Sequence, residues 1–162
     1  MKIFYRLISR AFYSFKRRKN TFLKKLVINE IGSNFICDTD VKIYNPQNLK
    51  IGNNVTLNSG VLIQSCENAK ISIGNNVVIS YNTLIISGDL DFKLDELDHS
   101  HNTDNITISD NVWIGADVKI LKGVEIYKNI IVAAGSLVNK SLTESNYIYA
   151  GVPAKKIKKI IK

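Results

Sequence analysis

The chain is poor in the residues that build disulfide frameworks and metal centres. It has only two cysteines, Cys37 and Cys66, and two histidines, His99 and His101, in 162 residues. Two cysteines far apart make neither a disulfide framework nor a metal-binding spacing, and they read as reduced thiols in a cytoplasmic protein. Two histidines separated by one residue cannot supply a three-histidine zinc site within one chain, so no metal is expected. Long apolar runs are also missing. The opening MKIFYRLISR is interrupted by charge every few residues, so it reads neither as a signal peptide nor as a spanning helix. Acids are absent from residues 1–28, which carry nine Lys/Arg. The last eight residues carry five Lys, while residues 89–105 carry six Asp/Glu against one Lys. The net charge of +8 is therefore concentrated at the two ends. Basic ends attract anions such as phosphorylated cofactors or lipid headgroups. No nucleic-acid-binding motif accompanies them, so nucleic acid is not an expected partner.

A composition of 45 % hydrophobic and 22 % charged residues fits one soluble globular domain. Its organisation is an internal period of six. From Ile108 the chain reads ISDNVW, IGADVK, ILKGVE, IYKNII, VAAGSL, VNKSLT. Each block opens with Ile or Val, and the fifth position is again mostly aliphatic. The pattern recurs as IGNNVT, LNSGVL from Ile51 and IGNNVV, ISYNTL from Ile73, with a weaker copy from Ile31. An aliphatic residue every six positions does not fit an α-helix of about 3.6 residues per turn. It fits a short strand followed by a turn. Asn, Asp and Gly dominate positions three and four, where they tolerate the left-handed backbone region. Three blocks close one triangular coil, and stacked coils align their Ile and Val into a continuous core. The fold class expected is an all-β solenoid, a parallel β-helix.

Breaks in the phase mark excursions. The 22 residues from Ile51 to Ile73 put extra chain in the Ser65–Lys70 turn. The 35 residues from Ile73 to Ile108 put a polar, acidic insertion at about 89–105, and long loops in compact domains often carry function. The expected organisation is a basic helical segment at 1–28, the β-helix at 29–150 and a basic tail at 151–162. Within 3–15, Phe4, Leu7, Ile8, Ala11, Phe12 and Phe15 have helical spacing, with Arg6 and Arg10 between them. This amphipathic helix is expected either to cap the open end of the solenoid or to lie on a membrane surface. The tail is expected to form a final strand or turn and then a short basic helix.

The blocks NVWIGADVKILKGVEI, VAAGSLVNK and AGVPAKKIKK resemble the maltose/galactoside O-acetyltransferase group of the hexapeptide acyltransferases. The resemblance covers roughly residues 50–160. It implies a left-handed β-helix, a homotrimer, and acetyl-CoA held in the groove between subunits. It also implies a histidine acting as general base toward a sugar hydroxyl, in glycan or cell-surface polysaccharide biosynthesis. Carried over by position, Ala116 and Ala134 would meet the pantetheine arm. Asn139 and Lys140 would continue along the groove, Lys158 would meet the cofactor's phosphates, and Asn58 would lie near the acceptor sugar. Trp113 is expected to pack at the subunit seam. Acyl transfer to a hydroxyl favours an imidazole base, and both histidines lie in the acidic excursion. The register departs from the family: counted without gaps, its histidine position falls on Leu90. The string DHSH resembles that of polysaccharide acetyltransferases, which makes His99 the expected base, with His101 as substitute and Asp95 and Asp98 as orienting groups. The competing expectation is a degenerate β-helix with a structural role. A location at the inner face of the membrane would follow if the basic helix binds lipid.

Overall fold

The computed structural model describes residues 2–93 and 96–161, with the side chains of 2–7 and 91–101 outside that description. Short parallel strands stack into the three faces of a prism. The first face is built from Glu30–Ile31, Leu49–Ile51, Ile71–Ile73, Ile106–Ile108 and Glu125–Ile126. The second runs from Ile36–Cys37 through Thr56–Leu57, Val78–Ile79, Trp113–Ile114 and Ile131–Val132 to Tyr147–Ala150. The third stacks Lys42–Tyr44, Leu62–Gln64, Leu84–Ile86, Lys119–Ile120 and Leu137–Val138.

The six-residue period explains the core. Ile51, Ile73, Ile108, Ile114, Ile120 and Ile126 open their blocks and are buried. The fifth-position residues Val55, Val77, Val112, Val118, Val124 and Ile130 are buried beside them. Each fully buried aliphatic side chain contributes about 1.5–3 kcal/mol, so the two columns dominate the stability of the coil. Where the fifth position is polar, the side chain bonds the coil's own backbone. Thr83 donates to the carbonyl of Gly115 at 3.0 Å, and Ser136 donates to that of Ala133 at 2.7 Å.

The phase breaks become two local features. The 22-residue spacing is absorbed before Ile71, where Asn48 donates to the carbonyl of Cys66 at 2.8 Å. The 35-residue spacing leaves the coil as an antiparallel hairpin, Gly88–Lys93 against Glu96–Thr103. The base of the hairpin is pinned to neighbouring coils. Ser87 accepts from the backbone N–H of Cys66 at 2.8 Å, and Asp89 pairs with Lys122 at 2.9 Å.

The two ends close differently. A helix over Lys2–Val27 lies against the first strand of the second face. At the other end the short basic helix expected of the tail is a strand instead. Lys155–Lys159 runs antiparallel to Tyr147–Ala150. The physical reason is the open sheet edge: unpaired backbone groups of the last strand accept a partner, and a lysine-rich strand ends the sheet without inviting another chain. No helix among the described residues is long and apolar enough to cross a membrane.

Candidate active site

The three corners of the prism are chemically distinct. The first, between the first and second faces, carries Asn34, Asn54, Asn76, Asn111, Asn129 and Asn146, all with φ between 55 and 68°. Their side chains bond from coil to coil: Asn34 to Asn54 at 2.9 Å, Asn54 to Asn76 at 2.9 Å and Asn76 to Asn111 at 3.1 Å. This corner is spent on structure.

The second corner, between the second and third faces, changes residue at every coil. By register Ser59, Tyr81, Ala116 and Ala134 follow one another up the stack, with Asn58, Ser80, Gly115 and Ala133 in the column beside them. Ala116 is half-buried and Ala134 is exposed. Gly115, beneath Ala134, cannot gain a side chain, because a Cβ there would come within 2.6 Å of the Ala134 nitrogen. Gly135 has φ +70°, and a Cβ built on it would meet nothing within 4 Å. Above the exposed Tyr81, the small residues thus leave a strip with open space beside it, which suits a slender chain lying along the backbone. Asn58 is the exception in the expected set. Its amide donates to the carbonyl of Ile79 at 3.1 Å, which ties it to the coil as a turn residue.

The third corner, between the third and first faces, carries the hairpin, and Asn139 and Lys140 are exposed on the same corner two coils on. His99 and His101 both belong to the strand Glu96–Thr103, and their side chains lie outside the described residues, as do those of Asp95 and Asp98. The backbone register is informative. His101 is the direct cross-strand partner of Leu90, and Asn102 pairs with Asp89. Lys158 stands apart, exposed in the last strand opposite Ile148 and without an ion-pair partner among the described residues. Its neighbour Lys156 is committed elsewhere. It bonds both carboxylate oxygens of Glu144 at 2.7 Å, which holds its ammonium above the usual lysine range.

No family model matches the chain. Individual proteins do. A Saccharomyces cerevisiae protein described as a putative acetyltransferase, YJL218W, is 35 % identical over 149 residues, spanning 90 % of this chain and 72 % of that protein. The galactoside O-acetyltransferase of Escherichia coli K12 is 33 % identical over 144 residues, 88 % of this chain and 69 % of that one. A solved galactoside acetyltransferase in complex with coenzyme A superposes with a TM-score of 0.81 at 31 % identity, covering 89 % of this chain and 71 % of that one. The chain belongs to the hexapeptide-repeat acetyltransferases. Its coil is the left-handed parallel β-helix of that family, and it is an acetyltransferase by membership.

Within this acetyltransferase, sequence reasoning singled out Trp113 but missed the outward rows of the faces. On the first face the outward row is Glu30, Lys50, Ser72, Thr107 and Glu125, polar throughout. On the second it is Ile36, Thr56, Val78, Trp113, Ile131 and Ile148, stacked in register. Trp113 is 52 % exposed and donates its indole N–H to Ser80 at 3.0 Å. The signal was present as Val78 and Trp113 in the sixth positions of IGNNVV and ISDNVW, where polar residues would face water.

Proposed function

We propose that this acetyltransferase moves an acetyl group from acetyl-CoA to a sugar hydroxyl of a glycan building block, at a site shared between copies of a homotrimer. The observation that carries the shared site is the separation of the expected parts. Ala116 and Ala134 occupy the second corner, while the hairpin with both histidines leaves from the third. One face of the prism lies between them. In a ring of three, the hairpin of one copy can meet the second corner of the next, and the apolar outward row around Trp113 supplies a face to bury. The coenzyme A in the related galactoside acetyltransferase supports the donor, and the galactoside relatives support a sugar acceptor.

The chemistry asked of the residues is limited. A neutral imidazole accepts the proton of the acceptor hydroxyl as its oxygen bonds the acetyl carbon. The carbon–sulfur bond of the thioester then breaks, and the proton passes to the leaving thiolate. The products are the sugar ester and free coenzyme A. Holding hydroxyl and thioester together removes most of the entropic barrier. Backbone N–H groups beside the small residues Ala116 and Ala134 suit the pantetheine amides. Asn139 and Lys140 would flank the same groove, and Lys158 would meet phosphate.

Register favours His101 over His99 as the base. The family's position falls on Leu90, and the hairpin brings His101 directly opposite it. The extra residues counted along the chain are those that run out along one strand and back along the other. His101→Ala should therefore lower turnover by roughly 100- to 10,000-fold, the usual worth of a general base. His99→Ala should do much less. The assay is coenzyme A release from acetyl-CoA with galactosides as acceptors. Parental turnover in the double variant would exclude histidine catalysis. Cofactor binding by a parent that turns over no acceptor would favour the degenerate β-helix.

A further inference from the structure

The N-terminal helix meets the coil with its polar side. Tyr13 donates its hydroxyl to Asp38, and Asn20 donates to the carbonyl of Asp38. Thr21 bonds residue 37 twice, donating to the carbonyl of Cys37 at 2.9 Å and accepting its N–H at 3.0 Å. Ile28, just past the last turn, is buried in the core. At about 3.6 residues per turn these positions share one side of the helix. Ile8, Phe12, Phe15, Phe22 and Leu26 share the opposite side, and all are exposed, Phe15 at 65 % and Leu26 at 66 %. The helix is thus seated with its apolar side away from the protein.

Charge decides what that side fits. Arg18 and Lys25 border the apolar strip on one flank and Lys16 on the other, and Lys19 lies within it one turn beyond Phe15; all four are exposed, and Lys16 is 4.6 Å from the ring centre of Phe12. The first acid in the chain is Glu30, beyond the helix. A second copy of the helix packed on this strip would bring like charges together with no acid on either to offset them. Nucleic acid would use the cations and leave the phenylalanines in water. An anionic bilayer satisfies both: rings and aliphatic side chains enter the acyl boundary while Lys and Arg meet the headgroups.

We propose that this helix is a two-sided anchor, its Tyr13–Asn20–Thr21 side clamping the coil and its Phe15–Phe22–Leu26 side docking on an anionic lipid surface. Capping and membrane binding are then two sides of one element.

The test is co-sedimentation of the full-length protein with phosphatidylcholine vesicles, with and without phosphatidylglycerol. The parent should bind the mixed vesicles, hold pure phosphatidylcholine weakly, and release as salt rises. Phe15→Ser with Phe22→Ser should weaken binding by about tenfold or more. Arg18→Glu with Lys25→Glu should abolish the preference for phosphatidylglycerol. Both variants should melt close to the parent and keep its coenzyme A release with a soluble acceptor, since all four side chains are exposed and none takes part in the hydrogen bonds that clamp the helix to the coil. Absence of parental binding, or binding indifferent to both pairs, overturns the proposal. So does a change in oligomeric size in the phenylalanine variant, which would assign the strip to a second copy. Because vesicle binding is read without any acceptor, its failure is separate from failure of the sugar-acetylation reading.

Discussion

The first and second corners of the prism face the same geometric problem and solve it with opposite sequences. Each must reverse the chain at every coil, with one residue at positive φ. The first corner uses the same residue six times and lets the asparagines bond one another. The second uses Asp40, Gly60, Asn82, Asp117 and Gly135 for the left-handed position, with Thr39, Ser59, Tyr81, Ala116 and Ala134 before them. Repetition gives a ladder in which most asparagine amides bond the next coil. Variation leaves rungs of different size and polarity. The lowest rung, Asp38, clamps the helix, Asn58 ties its turn to Ile79 of the next coil, and Ala116 and Ala134 leave space. The proposed cofactor strip rests on this difference between the corners.

The largest effect expected from this contrast is on the open rungs. Ala134→Trp puts a large ring on an exposed position of the second corner and should weaken acetyl-CoA binding by at least tenfold, roughly the 1.4 kcal/mol that one lost set of contacts represents. Its melting temperature should stay close to the parent's, because the side chain projects from the coil. Titration calorimetry with coenzyme A and a thermal melt read the two quantities separately. Unchanged affinity would mean that the open strip is not where the cofactor lies.

A middle-sized effect, of the opposite kind, is expected on the closed corner. Asn76 accepts from Asn54 and donates to Asn111 while holding φ at 55°. Asn76→Ala loses both bonds and keeps the strained backbone, at a cost of about 1–2 kcal/mol. Asn76→Gly relieves the strain and loses only the bonds, so it should recover part of that stability. Turnover should match the parent in both. A loss of activity at unchanged stability would break the division of labour between the corners.

How much of this was legible follows from which features repeat. The period of six shows the coil, its core columns and the point at which 89–105 must leave. It does not show that the excursion pairs with itself, although Leu90 and Phe92 alternate with aspartates as a strand does. The histidines therefore look out of register when counted along the chain, and the count does not reveal that Leu90 and His101 are cross-strand partners. The tail misled for a different reason. Its structure is set by the unpaired edge at Tyr147–Ala150, which lies outside the segment itself. The helix was legible as amphipathic, but which side meets the coil depends on Asp38, a residue that no pattern within 1–28 reveals.

That contact gives the smallest effect and the one that joins helix to corner. The Tyr13 hydroxyl is pushed up to about 12, first by its bond to Asp38, then by partial burial and the nearby carboxylate charge. A folded-state value above the free one, 10.0, means that the bond's contribution is complete below pH 10 and is lost as pH rises through about 12. Since Tyr13 is 44 % exposed, solvent screening keeps that contribution below about 1 kcal/mol. Tyr13→Phe should lower stability by that small amount at neutral pH and remove the alkaline dependence. Asp38 keeps its bond from the Thr39 N–H at 2.7 Å, so the turn itself should survive. Denaturant melts of parent and variant at neutral pH and near pH 11 measure the difference. A gap between them that does not narrow with pH would mean that Tyr13 holds the helix by packing, and that the lowest rung of the second corner is no more specialised than any rung of the first.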